Sequence, residues 1–305
     1  MSPVRVAYVC SEPERPLVAA LRRAGADVSL LSHRLVELPS LELQDGPFDL
    51  VLVDDAVDEA RVLERLEGQP GAPGRVHVVP AAVDPARFPL GQHASRPAAP
   101  GVFTVGFVGP LDQGNGLDVV AESLALMREV RPGFRLLVVG DGPARAELES
   151  RLNARRVSEM AEMTGAVPPD DVPGLLASMD AVVAPYPLEE EGHLAVLPVY
   201  ECMAAGLPVV ASGPGILGET IRHGVNGLLC PPGEAPAFAS ALLDLAEKPA
   251  LRVALGREAR RTVLAQHAWS RVAERLLDLA RAPGPISGLP WTDARSPERI
   301  CRGSS

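Results

Sequence analysis

The stretch Ala181–Gly213, AVVAPYPLEEEGHLAVLPVYECMAAGLPVVASG, constrains the fold more than any other. Ala181–Ala184 is an apolar run of strand length that stops at Pro185, and Val199–Ala205 reads as a short helix. Gly206-Leu207-Pro208 then turns the chain straight into a second apolar strand, Val209–Ala211. A strand–loop–helix–strand passage of this kind belongs to an α/β fold. It places an acidic run, His193 and the helix-borne Glu201 close to strand ends. Open parallel sheets bind ligands beyond the carboxyl ends of their strands, so this passage is also the first place to look for a site.

The same alternation runs through the chain. Strands are predicted at Val4–Val9, Ala26–Leu31, Phe48–Val53, Val76–Val79, Phe103–Val108, Phe134–Val139, Thr164–Val167 and Leu228–Cys230. Helices are predicted at Pro16–Ala24, Val57–Leu66, Leu117–Val130, Ala144–Arg156, Val172–Met179, Ala235–Glu247, Ala250–Gln266 and Trp269–Ala282. Strands that alternate with helices in this way predict parallel sheets covered on both faces. GQHASRPAAP, Gly91–Pro100, has the composition of a linker. The expected organisation is a small first domain over 1–95, a second over 96–268, a closing helix over 269–282, and a proline-rich tail over 283–305 without periodicity.

Charge and cysteines narrow the function classes. The net charge is −10, from 29 basic and 39 acidic residues, which argues against a nucleic-acid partner. The four cysteines (Cys10, Cys202, Cys230 and Cys301) show no metal-ligand spacing, as expected of a reduced, cytoplasmic protein. No uncharged apolar run reaches the length of a membrane span, and MSPVRVAYVC leads directly into a strand without a cleavage signature. After the first strand comes SEPER, which lacks the glycines of a dinucleotide-binding loop. Asp54 and Asp55 follow the third strand, where they either hold a metal or sugar hydroxyl or serve as solvated turn and capping residues.

Two strand-to-helix turns carry the strongest chemical signal. Gly109-Pro110-Leu111-Asp112-Gln113-Gly114-Asn115-Gly116 follows one strand and Gly140-Asp141-Gly142-Pro143 the next. Glycines there let backbone amides approach an anion such as a diphosphate, and the helix N-terminus adds partial positive charge. A tight turn without a ligand is the alternative. Glu201, early in its helix, has two acceptor oxygens that fit a vicinal diol such as ribose; capping electrostatics is the other reading. His193 either donates to a phosphate or sugar oxygen or is an exposed loop histidine. Glu189, Glu190 and Glu191 form a run that either faces solvent or contributes one catalytic carboxylate, and Glu219, following GPGILG, is expected to begin another helix.

Taken together, VHVVPAAVDPARF, FVGPLDQGNGLDVV, LLVVGDGP, MDAVVAPY, VYECMAAGLPVVASG, GETIRHGVNGLLCPPG and AWSRVAERL resemble the family 4 glycosyltransferases in order and spacing. The resemblance implies the GT-B fold, in which two Rossmann-like domains face each other across a cleft, with a shortened N-terminal domain on the acceptor side. It also implies a nucleotide-sugar donor, retention of anomeric configuration, and no metal or other cofactor. Glu201 matches the glutamate that holds the donor ribose, Gly109 and Gly116 match the phosphate-loop glycines, and Glu219 matches a glutamate near the donor.

Three departures accompany the match. Pro110 stands where the family has arginine and Asn115 where it has lysine, and the position of the first paired glutamate is His193, which Glu191 replaces if the loop slides by two residues. Both cations neutralise the leaving diphosphate, so their loss calls for a replacement, with Arg96, Arg145 and Arg222 as candidates. The expected function is retaining transfer of a sugar from a nucleotide-sugar to a small-molecule, glycan or lipid-linked acceptor. In that reading His193 and Glu191 are the catalytic candidates, and Gly109, Asn115, Gly116, Gly140, Glu201 and Glu219 hold the donor. The alternative is a degenerate homologue acting as a binding subunit with a protein partner.

Overall fold

The computed structural model describes residues 3–10, 15–32, 49–53, 76–88, 101–131, 133–186, 196–213 and 216–281. The chain divides into two compact units: residues 1–81 with 269–305, and residues 82–268. The expected 91–100 linker, the 57–66 helix, Asp54, Asp55 and the tail from 283 lie outside the described residues.

The first unit is built on four parallel strands: β1 (Val4–Cys10), β2 (Ala26–Ser32), β3 (Leu50–Val53) and β4 (Val76–Val78), in the order β2-β1-β3-β4. Helix α1 (Arg15–Arg23) lies between β1 and β2, on the crossover that parallel pairing demands. Leu50–Val53 is fully buried, as expected of a strand covered on both faces.

The second unit contains a six-stranded, all-parallel sheet in the order β10-β9-β8-β5-β6-β7. Its strands are β5 (Phe103–Val108), β6 (Phe134–Val139), β7 (Ala161–Met163), β8 (Ala181–Ala184), β9 (Val209–Ser212) and β10 (Leu228–Cys230). The helices between them are α2 (Leu117–Val130), α3 (Arg145–Ala154), α4 (Val172–Leu176), α5 (Val196–Ala204), α6 (Ile216–Thr220), α7 (Ala235–Glu247) and α8 (Pro249–Gln266). Two expectations are corrected. The seventh strand is Ala161–Met163, with Thr164–Val167 following as a turn: the Thr164 amide donates to Val138 O at 3.0 Å and Gly165 O accepts from Gly140, closing the strand end. Glu219 is the fourth residue of the five-residue α6 and does not open a helix.

The last helix, α9 (Trp269–Arg281), packs on α1 in the first unit. Trp269, Val272, Ala273, Leu276 and Leu277 are its buried stripe, spaced for one helical face. The chain enters and leaves the second unit side by side: the Val83 amide donates to His267 O at 2.8 Å, and Val83 pairs with Ala268.

The core of the second unit also contains a satisfied amide. Asn226 is wholly buried; its Nδ2 donates to Thr220 O at 2.9 Å and Thr262 Oγ1 at 3.1 Å, and its Oδ1 accepts from the Arg222 amide at 2.6 Å. These bonds fix the turn after α6 against α8. Asn226→Ala strands buried partners in a low-dielectric setting and is expected to cost about 2–5 kcal/mol. Urea denaturation measures this, and a loss under about 1 kcal/mol would mean that water substitutes for the amide.

Candidate functional site

The strand order reverses beside β5. The chain runs from β5 outward through β6 to β7, then returns to place β8 on the other side. Such a switch point opens a crevice at the carboxyl ends of the two strands. The residues that follow them are Gly109 after β5 and Pro185-Tyr186 after β8, and these lie together.

Close backbone contact defines this edge. Gly140 has φ of +140°, and a Cβ there would sit 1.9 Å from Gly109 O. Gly116, the residue before α2, has φ of +69°, and its Cβ would sit 2.0 Å from Pro185 O. Neither position admits a side chain, so the turns after β5, β6 and β8 meet main chain to main chain. Gly109 also has a positive φ, and a Cβ at that position would lie 3.6 Å from Pro198 Cγ on the first turn of α5 and 3.8 Å from the Tyr186 hydroxyl.

Within the glycine loop, Asn115 holds the turn from inside. It is 8% exposed, its Nδ2 donates to Pro110 O at 3.0 Å, and its amide donates to Asp112 O at 3.4 Å. Pro110, which has no amide hydrogen, thus contributes an acceptor that Asn115 consumes. Among the described residues no side chain caps α2, whose first turn faces a groove of about 300 Å³ lined by Gln113, Gly114, Gly116, Asp118 and Pro185, among others. The Arg151 guanidinium in that lining is paired with Glu147 at 2.7 Å. Neither Gly109 nor Glu201 lines the groove.

Glu201 stands on the second turn of α5, its side chain 16% exposed. Burial pushes its carboxyl above the ordinary range, and the nearby Arg87 charge and hydrogen bond pull the other way. Arg87 Nη1 lies 3.1 Å from Glu201 Oε1, and Nη2 donates to Pro169 O. Arg87 comes from a short 3₁₀ turn, Pro85–Arg87, capped by Asp84. No local pattern points to this partner, which lies 114 positions from Glu201; the lone arginine in VDPARF has no spacing signature.

The helix that carries Glu201 is fixed on its other faces. Tyr200 stacks on His267 with ring centroids 4.0 Å apart and its hydroxyl lies 3.3 Å from Thr220 Oγ1. Burial pushes the Tyr200, Tyr186 and Cys202 groups upward, so all three remain neutral at physiological pH. Arg260 donates to Ala204 O and Phe88 O. At the end of β9, the buried Ser212 hydroxyl has no partner among the described residues. Glu219 is exposed, while His193 and Glu191 lie outside the described residues, as does Arg96. Arg145 is committed to Asp141 and Glu149, and Arg222 is exposed. Among the described residues no group of three or more His, Cys, Asp or Glu side chains is placed to hold a metal ion, and no helix is long and apolar enough to cross a membrane.

Comparison with known proteins agrees with this architecture. Residues 102–248 match the family model for group 1 glycosyl transferases. The chain is 31% identical over 243 residues to a 2-deoxystreptamine glucosyltransferase of Streptomyces kanamyceticus, covering 78% of this chain and 56% of that protein. It is 35% identical over 217 residues to a D-inositol 3-phosphate glycosyltransferase of Pseudarthrobacter chlorophenolicus, covering 67% and 49%. The chain thus spans about half the length of these curated relatives. Among solved structures, Anabaena HepE in complex with UDP superposes with a TM-score of 0.63 at 14% identity, covering 90% of this chain and 99% of that one. Residues 102–248 are thus similar to the group 1 glycosyl transferases, and the fold is the GT-B fold with Rossmann-like domains.

Two glycine substitutions separate backbone contact from mere flexibility. Gly140→Ala is expected to destabilise by about 2–4 kcal/mol or to displace the loop, because the strained φ and the clash with Gly109 O act together. Gly218→Ala, within α6 and with nothing within 4 Å of its Cβ, is expected to be neutral or to stabilise by up to about 1 kcal/mol. Equal effects in chemical denaturation would refute the close-approach argument.

Proposed function

We propose that this protein is a family 4 retaining glycosyltransferase that takes a sugar from a UDP-sugar and passes it to a hydroxyl of an acceptor. The observation that carries the reading is the half-buried Glu201 carboxylate on α5, one turn beyond Pro198, which packs near Gly109 at the switch point of the second sheet. A carboxylate there accepts two hydrogen bonds from a ribose diol. Glycine-permitted loops and the uncapped first turn of α2 offer main-chain N–H groups and partial positive charge to the diphosphate. The UDP complex of the structurally similar Anabaena protein supports uridine as the first base to test.

In this reading the acceptor hydroxyl approaches the anomeric carbon on the face from which UDP departs. The new C–O bond forms as the bond to the β-phosphate oxygen breaks, and that phosphate oxygen takes the hydroxyl proton. The step requires no carboxylate base from the protein and no metal. His193 serves as a hydrogen-bond donor to the sugar or phosphate, and Glu191 takes that position if the loop slides by two residues. Two relatives are named for 2-deoxystreptamine and D-inositol 3-phosphate, so a polyhydroxylated ring is the first acceptor class to try. Glycan and lipid-linked acceptors follow, and the reaction is placed in the cytoplasm.

Glu201→Gln removes the charge and leaves the size. Hydrogen bonds to a charged group are worth about 1.5–3 kcal/mol, so UDP affinity measured by calorimetry is expected to fall about 10–100-fold. Unchanged affinity removes the ribose role. A nucleotide-sugar panel, assayed for UDP release with and without acceptors, then distinguishes turnover from binding alone.

The raised carboxyl adds a pH signature. Protonation removes an acceptor, so UDP affinity is expected to weaken as the pH falls through a midpoint above the ordinary carboxylate range. A profile flat down to pH values below that of a free glutamate would contradict this role.

A further inference from the structure

The glycine loop provides geometry but no formal positive charge. Pro110 carries neither charge nor amide hydrogen, and the Asn115 side chain is turned inward onto Pro110 O. A departing diphosphate gains negative charge, and a site that excludes water needs a fixed cation to meet it. Arg145 is held by two carboxylates on α3 and its preceding turn. Arg260 is engaged by the carbonyls of Ala204, at the end of α5, and of Phe88.

Arg87 is differently placed. Pro198 lies against Gly109, and Glu201 follows Pro198 by three residues on the same helix, about 4.5 Å of rise. The Arg87 guanidinium is 3.1 Å from Glu201, on the helix whose first turn meets the loop at the end of β5. Its side chain is 31% exposed. A guanidinium has five N–H donors in a planar fork suited to phosphate oxygens, and here two of its nitrogens meet one carboxylate oxygen and one carbonyl.

We propose that Arg87 is the cation of the donor site: its guanidinium, held ready by Glu201, takes the charge of the nucleotide's diphosphate in place of the residues at 110 and 115. This rests on the donor reading of the site. The ligand class is a nucleoside diphosphate, with the ribose on Glu201 and the phosphates on Arg87.

The experiment compares UDP with uridine on the full chain by calorimetry, for the wild type, Arg87→Gln and Arg87→Lys. The expected result for Arg87→Gln is a loss of at least tenfold in UDP affinity with less than a twofold change for uridine. Arg87→Lys retains charge and is expected to keep most of the preference for UDP over uridine. Equal losses for the two ligands in Arg87→Gln would make Arg87 only a holder of Glu201 and overturn the proposal. Unchanged UDP binding, or a lysine variant as poor as glutamine, overturns it too. Failure of the wild type to bind UDP, GDP or ADP is a separate outcome: it ends the donor reading itself, and this proposal with it. Arg87→Lys guards against a glutamine variant that does not fold, and thermal melts of both variants identify that case.

Discussion

The contact on which the site depends is carbonyl against glycine. Gly109 O stands where Gly140 would carry a Cβ, at 1.9 Å, and Pro185 O stands where Gly116 would carry one, at 2.0 Å. Three turns from three adjacent strands therefore meet without side chains between them. The strand order permits this, because β5 has β6 on one side and β8 on the other. A surface built this way presents peptide groups to whatever lies over it, and peptide groups bind anions through geometry without a formal charge. It also brings α5 close, since Pro198 is near enough to Gly109 to touch a methyl group there.

Electrostatics then decides how Glu201 is used. Burial raises its carboxyl more than the Arg87 charge and hydrogen bond lower it. A carboxyl whose folded value exceeds its unfolded one contributes stability that is fully present below the unfolded value and is lost as the pH rises through the folded value. At neutral pH the desolvated carboxylate therefore opposes folding. A buried ion pair is weak evidence for stability in any case, since removing two charges from water offsets their attraction. Glu201 is kept under these terms on the second turn of a helix beside a sheet switch point, the position from which we propose that it meets the donor.

The sequence made most of the fold legible. Apolar runs such as FTVGFV and AVVA read as strands because strands buried on both faces need no polar alternation, and the structure buries every residue of both. The seventh strand differs from its sequence expectation for a physical reason: Thr164–Val167 contains β-branched residues and resembles a strand, yet the ladder stops at Met163 because Gly165 folds back to accept from Gly140. Glu219 reads as a helix start because GPGILG precedes it, but α6 begins at Ile216. Glycine spacing marked the loops correctly, whereas the inward use of Asn115 needed coordinates. Arg87 was illegible for a different reason: an ion pair between residues 114 positions apart leaves no local pattern, and only the packing of Pro85–Arg87 against α5 and Pro169 makes it.

The segment bearing Arg87 is fixed at its base and open at its tip, which is the arrangement expected of a preorganised binding group. Behind it, Val83 is tied to His267 at 2.8 Å, and Asp84 accepts from the Ala86 amide at 3.0 Å. Beyond it, Phe88 is 2% exposed and its carbonyl accepts from Arg260. The backbone on both sides of Arg87 therefore has little freedom left to lose when a ligand arrives. The guanidinium retains some, being a third exposed and bonded to acceptors on two other elements. Ordering costs on binding scale with the rotamers that must be frozen, and an arginine already held by a carboxylate has given up much of that entropy in folding. A cation delivered from this anchored turn, and not from the glycine loop, leaves the loop free to be neutral: Pro110 and Asn115 can serve the shape of the turn because the charge is supplied from elsewhere.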